Sequence, residues 1–114
     1  QIPEMISFFR ELPDYPADFF INKKSKTTLE NSGEMLKEAI AELEQIEDWK
    51  LDVIHEALIT LAGRLGVKNG TLLWPVRIAA AGVQVTPGGA MEILTILGKE
   101  EALRRLRIGL EKLN

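Results

Sequence analysis

Residues 31–47 read NSGEMLKEAIAELEQIE, and their spacing decides the class of fold. Met35, Leu36, Ala39, Ile40, Leu43 and Ile46 recur at steps of three and four, while Glu34, Lys37, Glu38, Glu42 and Glu44 take the other face. This is the period of an amphipathic helix, and the carboxylates interleaved with Lys37 have the spacing of a solvated surface. Asn31 with Glu34 three residues on predicts a capping box at the helix start. The following stretch places Leu51, Ile54, Leu58, Leu61 and Leu65 on one stripe, and Gly66 can accept the left-handed turn that ends a helix.

Outward from this pair the elements are shorter. Residues 2–11 predict a helix, stopped at Leu12-Pro13 because the residue before proline is pushed out of the helical region. Asp14-Tyr15-Pro16 reads as a turn, and residues 22–28 as a polar loop carrying Lys23, Lys24 and Lys26. On the other side, the spacing predicts a helix over 71–81, with Pro75 near its first turn, where a missing N–H costs least, and Gly82 closing it. Val83-Gln84-Val85 is strand-like but too short to build a sheet. Thr86-Pro87-Gly88-Gly89 is a loop entering a helix over 90–97; after Gly98, a last helix over 99–113 aligns Leu103, Leu106, Leu110 and Leu113. The fold class is all-α. Since the regular acidic helices give way at Val67-Lys68-Asn69-Gly70 to shorter pieces rich in glycine and proline, two packed helical subdomains are expected. These are an acidic scaffold over 1–66 and a smaller unit over 67–114.

Composition bounds the function. The 114 residues are 46% hydrophobic and 27% charged with a net charge of −3, so a packed domain is expected rather than a disordered chain. No cysteine is present, which excludes disulfides, thiol nucleophiles and thiolate metal sites. No apolar run reaches the ~20 residues of a membrane helix. Gln1-Ile2-Pro3-Glu4 is neither a signal peptide nor an initiating methionine, so a cytoplasmic chain beginning inside a longer protein is expected. Charge is uneven: residues 1–56 hold six Lys/Arg against thirteen Asp/Glu, and residues 57–114 eight against four. A polyanion would therefore meet the second half.

Catalytic parts are lacking. His55 is the single histidine, with Asp52 three residues before it but no serine or cysteine nucleophile placed nearby, and one histidine supplies no zinc pair. No phosphate-binding Gly-x-x-x-x-Gly-Lys-Ser/Thr loop occurs. Binding features are better represented. The glycines of Thr86-Pro87-Gly88-Gly89 allow close backbone approach, and the N–H groups of the helix start that follows point outward. Arg77 is the sole charge between Gly70 and Ala90, and a guanidinium among apolar residues needs a partner, either an intramolecular carboxylate, for which Glu92 is a candidate, or a ligand. Trp74 can offer a stacking face to an unpaired base or belong to the core. Arg104 and Arg107 share one side of the last helix, where they can track phosphates or complement the helix dipole.

Several spaced motifs carry a resemblance. Gly70-Thr71-Leu72-Leu73-Trp74-Pro75-Val76-Arg77-Ile78-Ala79, then Gly82, Thr86-Pro87-Gly88, Glu92 and Leu97-Gly98-Lys99-Glu100, are similar to the C-terminal anticodon-binding domain of bacterial glutamyl-tRNA synthetase. Phe9, Leu12-Pro13-Asp14-Tyr15, Lys23-Lys24 and Glu47-Asp48-Trp49 agree upstream, so the similarity covers essentially the whole chain. The resemblance implies an α-helix cage that binds a tRNA for glutamate, and in some members glutamine tRNA too. It implies a monomeric parent that uses ATP and magnesium in a catalytic domain upstream, whose signatures are absent here; the fragment holds no cofactor. It also implies that Arg77, Thr86, Pro87 and Gly88 approach anticodon bases, and that a further arginine reading the third base lies upstream of Gln1. Gly89-Ala90-Met91 departs from the bulky apolar and aromatic residues common in relatives, and Lys50 stands where a Ser or Thr commonly caps. The alternative is a helical protein–protein adaptor with no nucleic-acid role.

Overall fold

The computed structural model describes residues 15–83 and 89–113. The expected helix over 2–11, Asp14 and the segment 84–88 lie outside the described residues. A 3₁₀ turn (Ala17–Phe20) leads into five described helices: α1 (Leu29–Glu44), α2 (Leu51–Leu65), α3 (Asn69–Ala81), α4 (Ala90–Leu97) and α5 (Lys99–Leu113). No strand forms among the described residues; Asn22 and Thr27 make one isolated antiparallel bridge. The all-α expectation holds.

Helix α1 begins three residues earlier than Asn31 predicts. Thr28 is the N-cap: its Oγ1 accepts from the Asn31 N–H at 3.1 Å, while Asn31 Oδ1 accepts from the Thr28 N–H at 2.7 Å. Asn31 thus closes the box from inside the first turn, and Glu34 has no part in it. A hydroxyl three residues upstream gains a further turn of helix at no loss of capping. Helix α2 ends as expected, with Gly66 in the left-handed region and the Val67 N–H reaching the Ala62 carbonyl at 3.1 Å. Its start at Lys50 has no side-chain cap.

Helix α3 starts at Asn69, which puts Pro75 in the helix interior and not near its first turn. Proline there has no N–H for the carbonyl of Thr71, a cost normally avoided in mid-helix. Thr71, Leu72, Pro75 and Val76 are all buried, so packing against the neighbouring helices outweighs it. Helices α4 and α5 follow almost without a joint. Gly98 makes this possible at φ 83 and ψ 161, a conformation essentially reserved for glycine.

The core crosses residue 66 without a break: α1 packs on α5, α3 and α2, and α4 lies against α2, α3 and α5. Leu36, Leu43, Ile54, Leu58, Leu61, Leu72, Ile78, Leu94 and Leu106 are fully buried. Each such side chain stabilises the fold by about 1.5–3 kcal/mol relative to exposure. Leu51, read as the first residue of the α2 stripe, is instead 45% exposed. It sits at the helix entrance, beyond the reach of the packed layer.

Two contacts tie α5 to α3. At Gly109 the helices approach so closely that an added Cβ would lie 2.8 Å from Ala79 Cβ and 3.2 Å from both Phe20 Cζ and Tyr15 Oη. One turn earlier the Arg105 guanidinium, with no exposed surface, donates to Glu101 Oε2 at 2.7 Å and to the Ala80 carbonyl at 2.8 Å. Ala80 is in the last turn of α3, where carbonyls lack helical partners and a cation meets the negative end of the dipole. Hydrogen bonds from Arg104 and Arg105, and the charges of both, hold the Glu101 carboxyl down at about 2 against the opposing push of burial.

Two outcomes follow. Gly109→Ala should lower stability by about 1–3 kcal/mol despite alanine's better helix propensity, read as a fall in thermal midpoint. Glu101 is held below its ordinary 4.5, so its stabilising share is full above that pH and drains away as pH falls toward about 2. Glu101→Gln should flatten that part of the acid-unfolding curve and cost about 1–3 kcal/mol at neutral pH, as a charged partner of a buried cation is lost.

Candidate functional site

One face of α3 carries both Trp74 and Arg77, a turn apart and therefore stacked along the helix surface. The Arg77 guanidinium lies over the indole, 4.8 Å from its centroid. Trp74 is half-buried, and its Nε1–H donates to the Phe19 carbonyl at 2.9 Å, which fixes the ring. Trp74 is therefore anchored at its N–H and packed against the core, with the cation on its face. Arg77 is partly buried, and the loss of solvent lowers its pKa; guanidinium remains cationic at neutral pH.

These two side chains line an open recess of about 280 Å³, completed by Ser25 and Gly70 on one side and Gly89 and Ala90 on the other. Glu92, one candidate partner for Arg77 in the sequence, has a bond of its own in the first turn of α4. Its Oε1 accepts from the Gly89 N–H at 2.8 Å, closing the first turn of α4. Gly89 is exposed and forms part of the recess wall, so the chain re-enters α4 there after the 84–88 segment. Thr86, Pro87 and Gly88 themselves lie outside the described residues.

The arginines of α5 occupy different settings. Arg104 is exposed and donates to both Glu101 oxygens, at 2.9 and 2.6 Å. Arg107 is exposed and pairs with Glu44 of α1. Each already holds a carboxylate. Arg105, not singled out by sequence reasoning, is the buried one. The signal was present: it falls between Leu103 and Leu106 on the apolar stripe, with Glu101 one turn before it.

A second recess, of about 400 Å³, lies beyond Gly89 between α2 and α4, lined by Leu51, Asp52, His55, Met91 and Glu92. His55 is exposed, and Asp52 Oδ1 accepts from the Val53 N–H. Among the described residues no group of three or more His, Cys, Asp or Glu side chains could hold a metal ion. No helix of the described residues is long and apolar enough to cross a membrane.

Fold and recess together define a helical binding module: a shallow, glycine-edged opening with one planar cation stacked on an anchored indole. Comparison with known proteins supplies the family. The model for the anticodon binding domain matches residues 1–110, and the chain belongs to that family. It is 51% identical over 99% of its length to a glutamate–tRNA ligase of Clostridium tetani, and 51% identical over 98% to one of Clostridium acetobutylicum. In both cases it spans 23% of the relative's length. Its fold is similar to part of a glutamate tRNA ligase from Elizabethkingia meningosepticum, with a TM-score of 0.82 at 23% identity, covering 99% of this chain and 22% of that one. The helical-adaptor alternative is not favoured by this family.

Trp74 supports the recess, so Trp74→Phe should cost about 1–2 kcal/mol, because the Phe19 carbonyl loses its donor and Arg77 a better aromatic face. Thermal unfolding reads the loss, and the far-UV circular dichroism of the folded state should be unchanged.

Proposed function

We propose that this chain reads the anticodon of a tRNA for glutamate, as the C-terminal part of a glutamate–tRNA ligase. The single observation that carries the reading is the Arg77–Trp74 stack in the Gly89-edged recess. Single-stranded RNA loops are recognised by stacking unpaired bases and hydrogen-bonding their edges. Stacking on Trp74 engages the face of the guanidinium, and its planar fork of N–H donors is the part suited to a base edge. Thr86, Pro87 and Gly88 are assigned to the same task, as the segment leading to Gly89. Arg104 and Arg107 have a minor share, since a phosphate would compete there with Glu101 and Glu44.

In this proposal residues 1–66 form the scaffold toward the catalytic part of the same longer chain, and residues 67–114 meet the anticodon. ATP and magnesium serve that catalytic part, glutamine tRNA is a second substrate in some ligases of this kind, and the enzyme acts as a cytoplasmic monomer.

In the full-length ligase, Arg77→Ala should lower kcat/KM for tRNA about ten- to a hundredfold, on the scale of one good bidentate base contact. Arg77→Lys should rescue little, because a point charge cannot replace a fork. Steady-state aminoacylation measures both; charging unchanged by Arg77→Ala would make Arg77 a purely structural partner of Trp74.

A further inference from the structure

The acidic part of the chain contains one basic island. Lys23, Lys24 and Lys26 fall within four positions, and no Asp or Glu occurs between Asp18 and Glu30. All three lysines are exposed, and among the described residues none lies within ion-pair distance of a carboxylate. The fold carries this island across to α3. Thr71 Oγ1 donates to the Ser25 carbonyl at 2.7 Å, and Ser25 is itself a wall of the Arg77 recess. The loop bearing the lysines is thus the rim of the opening that Arg77 and Trp74 line.

The rim is held firmly. The Asn22 and Thr27 backbones bond each other, the Ser25 N–H donates to Asn22 Oδ1 at 2.8 Å, and Asn31 Nδ2 donates to the Lys26 carbonyl at 2.9 Å. Lys26 adopts φ 57, the left-handed region where glycine or asparagine is the cheaper choice. A long cationic side chain stands where local backbone energetics would favour none.

We propose that the loop over 22–27 is a phosphate-backbone clamp for the RNA strand whose base enters the Arg77 recess. This rests on the anticodon reading above and divides the labour within it. Lysine is a point charge suited to phosphate, and phosphate contacts set affinity and register without reading sequence. The recess specifies; the rim holds. The RNA-facing surface then includes a piece of the acidic half, although net charge alone points to the second half.

The test uses the full-length ligase and its tRNA, with a Lys23→Ser, Lys24→Ser, Lys26→Gly triple variant. Binding should weaken about tenfold at moderate salt, and the slope of log K against log salt should fall by about 2, from three lost single-strand phosphate contacts. Discrimination against tRNAs with altered anticodons should be unchanged. Lys26→Gly alone guards against misfolding: it relieves the positive φ, so its thermal midpoint should be equal or higher while its salt slope falls by about 0.7. Unchanged affinity and slope in the triple variant, with Arg77→Ala still impaired, would overturn the clamp and leave the anticodon reading standing. Altered anticodon discrimination would also overturn it, because the loop would then be reading bases. If Arg77→Ala is equally silent, the anticodon reading falls and the clamp with it.

Discussion

The Arg105 guanidinium is the constraint around which this domain is arranged. It is fully buried, paired with Glu101 on its own helix, and bonded to the Ala80 carbonyl at the end of α3. A buried cation must be satisfied wherever it goes, so it fixes the position of α5 against α3 more strictly than the surrounding leucines can. Gly109, one turn on, lets the two backbones close to contact with Ala79. With the end of α3 held in this way, Gly82 closes that helix and the chain leaves toward the 84–88 segment from a defined point.

The same device, a polar side chain donating to a backbone carbonyl of a distant segment, recurs through the fold. Trp49 Nε1–H donates to the Leu94 carbonyl near the end of α4, and Lys99 Nζ donates to the Ile46 carbonyl just past α1, at 2.8 and 2.6 Å. Trp74 does so for Phe19, and Thr71 for Ser25. Short helices expose many terminal carbonyls, and a small core cannot leave them unpaired. These long-range bonds join segments far apart in sequence. They also set the recess: its two walls, the 22–27 loop and Gly89, meet because α3 is pinned at Phe19 on one side and packed against α4 on the other.

Positive charge is consequently shared out by role. Arg105 serves the core, and Arg104 and Arg107 answer Glu101 and Glu44. Arg77 lines one opening together with Ser25 of the lysine-bearing loop, although the two lie about fifty residues apart in the chain.

Residue spacing alone determined the helical class, the extents of α2, α4 and α5, and Gly66 and Gly98 as breaks, because these depend on local periodicity and on glycine's backbone freedom. Arg77 and Gly89 were also legible, as a solitary charge and a glycine before a helix. Local rules failed where a competing bond lay outside the window being read. Thr28 outbid Asn31 for the cap, and α3 extended back past the position that Pro75 would favour. Only the tertiary structure decided that Arg105 is internal, that Glu92 bonds the Gly89 N–H, and that Ser25 of the lysine loop lines the same recess as Trp74. Each of these turns on which distant carbonyl or carboxylate a side chain meets, and one-dimensional spacing does not encode distance between helices.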